Sequence, residues 1–171
     1  PALVQAGIAY ATVDDYHFLC TGRRDDELRT HFTTEEDGHR LDLFPIAEAL
    51  RYRLPFAPAA EAVAYLEGLA GPGRRRATVY FDDIEKLGIW PKTYEWVYER
   101  GWLREFVERV LGSELVAAER FDAWHAGERT GGIVYLPATS YIEMNEWTLP
   151  APAAAEYDAL LRAEKDAGRY D

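Results

Sequence analysis

The stretch from Thr78 to Pro91, TVYFDDIEKLGIWP, constrains this chain more than any other. Ala77 to Phe81 is a β-branched and aromatic run that reads as a buried strand. It breaks into two adjacent carboxylates, Asp82 and Asp83, with a third at Glu85. Gly88 and Pro91 then mark a loop before the next helix. Acids delivered at the C-terminal end of a strand are the usual placement of reacting groups in a β/α barrel. An Asp in such a place can equally cap a turn, so the wider pattern has to decide.

Ile8 to Val13 reads as another strand and also ends in a pair of acids, Asp14 and Asp15, followed by Tyr16 and His17. The polar segment from Thr21 to Arg40 reads as a long loop with one helical turn at Glu27 to His31. Leu41 to Phe44 reads as a short strand, and Ala47 to Leu54 as helical turns. Pro58 to Ala70 is the cleanest helix, with Ala59, Val63, Leu66 and Ala70 at helical spacing and Gly71-Pro72-Gly73 as its stop. Tyr94 to Arg100 and Trp102 to Leu111 read as two successive helices, and Trp96 and Trp102 read as packing residues rather than ligand contacts. Val116 to Arg120 and Gly132 to Pro137 read as strands, Phe121 to Ala126 and Ala153 to Ala167 as helices. This alternation predicts an α/β class with parallel strands.

Composition narrows the partners. A formal net charge of -11 argues against nucleic acid or an anionic membrane surface and suits a neutral polar ligand. The lone Cys20 excludes an internal disulfide framework. With no signal peptide and no apolar run long enough to span a bilayer, the chain reads as soluble and cytoplasmic.

Three strand ends are rich in carboxylates: Asp14 and Asp15 with His17, Asp82 and Asp83 with Glu85, and Glu143 with Glu146. In neighbouring strands these acids would converge on one mouth with the aromatics Tyr16, Phe18, Trp90, Tyr141 and Trp147. Paired carboxylates beside aromatic platforms suit glycoside chemistry, one acid protonating the leaving oxygen while another attacks or activates water. A metal-dependent hydrolase of the polysaccharide deacetylase type is a second reading, with Asp14 or Asp15, His17 and Asp83 as ligands. It lacks paired histidines at helical spacing, and His31, His39 and His125 read as scattered surface residues. A non-catalytic carbohydrate-binding module is a third.

The run from Asp82 to Phe106, DDIEKLGIWPKTYEWVYERGWLREF, closely resembles glycoside hydrolase family 57, in its 4-α-glucanotransferase and α-amylase branch. Val13 to Phe18 (VDDYHF) and Val134 to Trp147 (VYLPATSYIEMNEW) resemble the same branch, so the likeness covers nearly the whole chain. The resemblance implies a distorted seven-stranded β/α barrel and a retaining mechanism on α-1,4 glucosidic bonds, by transfer or hydrolysis and without a cofactor or metal. It implies Asp83 as general acid/base and Trp90 in the sugar site; Glu85, Asp15 and His17 are read from the residues as supporting or substrate-binding groups. Two positions depart from the family pattern: Ile84 stands where Gly is usual and Leu87 where Phe is usual. Ile84 does not readily take positive φ, which puts the loop beside Asp83 in question.

The family's nucleophile motif would lie before Pro1 and its last motif beyond Asp171. The chain is therefore expected to be an internal piece of a longer enzyme, inactive in isolation and without the nucleophile. Residues 1–150 would be the second half of the barrel and 151–171 a helix leading onward. The expected partner is an α-glucan or maltooligosaccharide, and the parent is compatible with a homo-oligomer.

Overall fold

The structure, a computed structural model, describes residues 1–138, 140, 144 and 147–169. Tyr141, Glu143 and Glu146, expected at the third acidic strand end, lie outside the described residues. The chain divides into two compact units, Pro1–Pro137 and Ala138–Asp171.

The first unit is built on a three-stranded mixed sheet of order β1-β3-β2. β1 (Tyr10–Asp14) runs parallel to β3 (His39–Ile46), with Tyr10 opposite Asp42 and Asp14 opposite Ile46. β2 (Phe32–Glu36) and β3 form an antiparallel hairpin closed by Asp37 and Gly38, whose φ values are +51° and +76°. Two consecutive positive φ angles match the twist of the flanking strands, and Asp-Gly is the pair that tolerates them. The segment expected to be one long loop therefore contains a strand.

Ala77 to Phe81 is extended but pairs only at Val79, which bridges Ile46 in parallel. Its hydrogen bonds go to two different segments, Ala77 N–H to the Arg29 carbonyl and the Val79 carbonyl to Ala47 N–H, so no continuous ladder forms. Ile133 bridges Thr33 in the same isolated way. Val116 to Arg120 is not a strand: the Ser113 hydroxyl accepts the N–H groups of Leu115 and Val116 and turns the chain there.

Side-chain alternation along β3 buries both sheet faces. Leu43 joins Phe18, Leu28, Phe32 and Val134, whereas Phe44 joins Val79 and Trp124. A third cluster holds α3 (Glu48–Arg53), α4 (Ala59–Gly68) and α5 (Trp102–Gly112) together through Ala47, Leu50, Leu54, Ala62 and Trp102. Trp96 and Trp102 are packing residues, as expected. Their indole N–H groups donate to the carbonyls of Pro55 and Ala57 at 2.6 and 2.7 Å, fastening the link between α3 and α4. Along α5 the apolar stripe is wider than its contact, and Leu111 stays exposed. Other described helices include α1 (Ala2–Gln5), α2 (Asp15–Leu19), α6 (Phe121–Gly127) and, in the second unit, α7 (Ala151–Asp166). No described helix is long and apolar enough to cross a membrane.

Candidate active site

β1, β3 and the extended run through Val79 point the same way, so their C-terminal ends lie side by side. One side chain ties them. Arg51, on α3 just after β3, donates from Nη1 to Asp14 Oδ2 at 3.2 Å and from Nε to Asp82 Oδ1 at 3.3 Å. The other oxygen of Asp82 takes Lys86 Nζ at 2.5 Å, and Nζ also reaches the Arg51 carbonyl at 3.3 Å. The Asp82 side chain is 1 % exposed and that of Lys86 7 %. Asp82 is thus a buried anion matched by two cations, and its role is to hold the loop. Arg51 did not stand out in the sequence, because nothing local marks a pairing that spans 31 residues or more, whereas the Lys86 pair with Asp82 is only four residues apart.

Asp83, by contrast, is exposed. It stands at the start of a 3₁₀ turn, Ile84–Leu87, without capping it through its side chain. Ile84 sits in that turn with negative φ, so the residue that replaces the family's Gly is unstrained. The positive φ is taken instead by Gly88, at +141°, where a Cβ would come within 3.0 Å of the Tyr98 ring. The loop folds back on Glu85, whose carbonyl accepts the N–H groups of Ile89 and Trp90. The Glu85 carboxylate accepts the Trp90 indole N–H at 3.4 Å, fixing one edge of the ring. Phe56 stacks on Trp90 at 6.1 Å between centroids, and Lys86 Nζ lies 5.4 Å from the Trp90 centroid. Trp90 remains 39 % exposed.

Asp14 caps α2 by accepting Tyr16 N–H, and His17 Nδ1 lies 3.3 Å from the Asp14 carbonyl oxygen. Asp15 is buried beneath this turn. Its Oδ2 accepts Glu48 N–H at 3.1 Å, joining the start of α2 to the start of α3, while Oδ1 is buried without a partner. Burial pushes its pKa up to about 6, opposed by the Glu48 N–H and reinforced by the nearby charges of Asp14 and Glu48. A raised carboxyl pKa in the folded state favours folding below the unfolded value of 3.8, and that advantage is lost as pH rises through about 6. The effect is on the order of 3 kcal/mol. Thermal unfolding of the purified protein between about pH 4 and pH 7 is expected to show this loss, and Asp15→Asn to flatten it. Parallel profiles for the two proteins would count against it.

A cavity of about 630 Å³ is lined by Leu66, Arg75, Val79, Phe106 and Trp124 among others. None of Asp82, Asp83, Glu85 or Trp90 lines it.

Two parallel segments thus bring carboxylates to one end, Asp14 and Asp82 joined through Arg51, and the loop after Asp82 carries the exposed Asp83 and Trp90. The model of glycosyl hydrolase family 57 matches residues 1–137. The chain is 43% identical to an alpha-amylase of Pyrococcus abyssi and 41% identical to a 4-alpha-glucanotransferase of Thermococcus litoralis, each over 99% of its length. The crystal structure of the Thermococcus litoralis 4-alpha-glucanotransferase superimposes with a TM-score of 0.93 at 42% identity, over 98% of this chain and 26% of that one. This chain belongs to glycosyl hydrolase family 57. It spans about a quarter (26%) of the length of these curated relatives, which are enzymes by name.

Proposed function

We propose that this chain is the acid/base-bearing part of a retaining α-glucan-active enzyme that cleaves α-1,4 glucosidic bonds and passes the glucanosyl unit to a sugar or to water. Asp83 is its general acid/base and Trp90 a sugar platform. Glu85 orients the indole, and Asp15 and His17 support the neighbouring strand end. Residues 1–150 belong to the barrel and 151–171 lead out of it. The nucleophile is supplied from outside these 171 residues.

The observation that carries this reading is the division of labour between two adjacent aspartates. Asp82 is consumed by Arg51 and Lys86, whereas Asp83 stands exposed on the same loop as the partly exposed Trp90. A proton donor has to reach the glycosidic oxygen, and of the two only Asp83 has that freedom. The metal-hydrolase alternative fares worse, because the Arg51 guanidinium already answers the charge of Asp14.

The test is a comparison of leaving groups in the full-length enzyme. Asp83→Asn is expected to lose turnover of maltooligosaccharides yet keep formation of the glycosyl-enzyme from a maltosyl fluoride, whose leaving group needs no proton. Equal loss on both substrates would overturn the assignment. Trp90→Ala is expected to raise KM for maltooligosaccharides about tenfold with a smaller change in kcat, as loss of roughly 1.4 kcal/mol of ring contact would do. A change confined to kcat would remove Trp90 from the sugar site.

A further inference from the structure

Away from the catalytic loop, two histidines and an aspartate meet at the base of the β2–β3 hairpin. His31 is the residue before β2, Asp42 lies in β3, and His125 is in the last turn of α6. One potential ligand atom from each lies within 4.8 Å of the others, and among the described residues this is the group with such spacing. His31 and His125, expected as scattered surface residues, stand 5.3 Å apart between ring centroids, and His31 is 3 % exposed. Strand order brings them together, because β3 and α6 are distant in sequence.

The arrangement has two features beyond proximity. Thr33, directly opposite Asp42 in the hairpin, donates its hydroxyl to Asp42 Oδ1 at 2.6 Å. That fixes the carboxylate and leaves Oδ2 facing His125 Nε2, 2.6 Å away. Such support of a ligating carboxylate by a second hydrogen bond is what orients metal ligands. His31 Nδ1 is buried with no hydrogen-bond partner. The Asp42–His125 contact satisfies two members of the group and leaves the third unexplained, and a buried polar atom without a partner calls for an explanation.

We propose that His31, Asp42 and His125 bind a divalent transition metal of the zinc class. Two imidazoles and one carboxylate are a donor set suited to zinc and poorly suited to calcium or magnesium, which prefer oxygen ligands. Tetrahedral coordination with ligand bonds of about 2.0–2.2 Å requires the Asp42–His125 hydrogen bond to open and His31 to close in, both small side-chain movements. The fourth position is left to water. Tyr10, Phe44 and Phe121 wall the site with aromatic rings, Tyr10 at 5.1 Å from His125 and Phe44 at 5.3 Å from His31. Arg74, the cation whose charge acts on His31, is answered by Glu128. The metal clips α6 to the sheet. α6 is reached through residues 113–120, which form no helix or strand, so the clip supplies a tether that the backbone does not.

The experiment uses the full-length protein, stripped with a chelator and then titrated with Zn²⁺ alone and, separately, Co²⁺ alone. One equivalent of zinc retained per chain after desalting, visible d–d bands with Co²⁺, and a zinc-dependent rise in Tm are expected. His125→Gln and Asp42→Asn should each lose the retained equivalent and the rise in Tm. Thr33→Val, which keeps the β-branched shape and removes the hydroxyl, should weaken zinc binding roughly 10- to 100-fold without unfolding the chain. His39→Gln should leave binding unchanged, which separates this site from adventitious surface histidines. No retained zinc, or zinc retained equally by His125→Gln and Thr33→Val, would overturn the proposal.

Discussion

Asp83→Asn is expected to reduce kcat for maltooligosaccharide turnover by a factor of about 10² to 10⁴, the range that general acid–base catalysis contributes. The folded state should be untouched. The Asp83 side chain is exposed and caps nothing, so its amide counterpart leaves no buried group unsatisfied. The neighbouring acid does not act as a like charge to be reckoned with, because Arg51 and Lys86 already neutralise Asp82. Measurement of kcat and Tm on the same preparation checks both halves of the expectation. A variant that still turns over maltooligosaccharides at near the original rate would remove Asp83 from the reaction.

The sequence revealed the acids better than it revealed what holds them. Paired aspartates after two β-branched runs announced strand ends, and β1 and the Val79 segment do deliver Asp14 and Asp82 to one place. The α4 helix was equally legible, because Pro58 opens it, although it ends at Gly68, two residues before the expected Ala70. β2 was hidden by composition: of Phe32 to Glu36 only Phe32 is buried, and the other four residues are Thr and Glu. The signal for it was present in Asp37-Gly38, the two-residue turn pair whose positive φ angles close the hairpin. Arg51 had no such local mark. It lies 37 residues from Asp14 and 31 from Asp82, and only the parallel order of β1, β3 and the Val79 segment brings the three together. The same holds for His125, which meets Asp42 across 83 residues. Ala77 to Phe81 shows the opposite error. Its side chains are strand-like, yet hydrogen bonds shared between Arg29 and Ala47 leave it extended without a ladder.

Asp82→Asn is expected to act on stability rather than directly on chemistry, and to act strongly. Its carboxylate is buried and serves as the common partner of Arg51 and of Lys86, which is itself buried. Neutralising it removes the carboxylate that both cations share, leaving Asp14 as the acid paired with Arg51 and the Arg51 carbonyl as an acceptor for Lys86. Breaking a buried ion pair from one side typically costs about 3–5 kcal/mol, because the remaining charge stays desolvated. The loss should appear in the denaturant midpoint of the full-length enzyme with the slope unchanged. Lys86→Met should show a smaller loss, since Asp82 then keeps Arg51. In the double variant the two effects should fall short of additive, because each removes part of the same contact. Activity per folded molecule should drop less for Asp82→Asn than for Asp83→Asn. If Asp82→Asn instead kept its stability and lost all turnover, the assignments of the two aspartates would have to be exchanged, with Asp82 as the proton donor and Asp83 as a bystander on the loop.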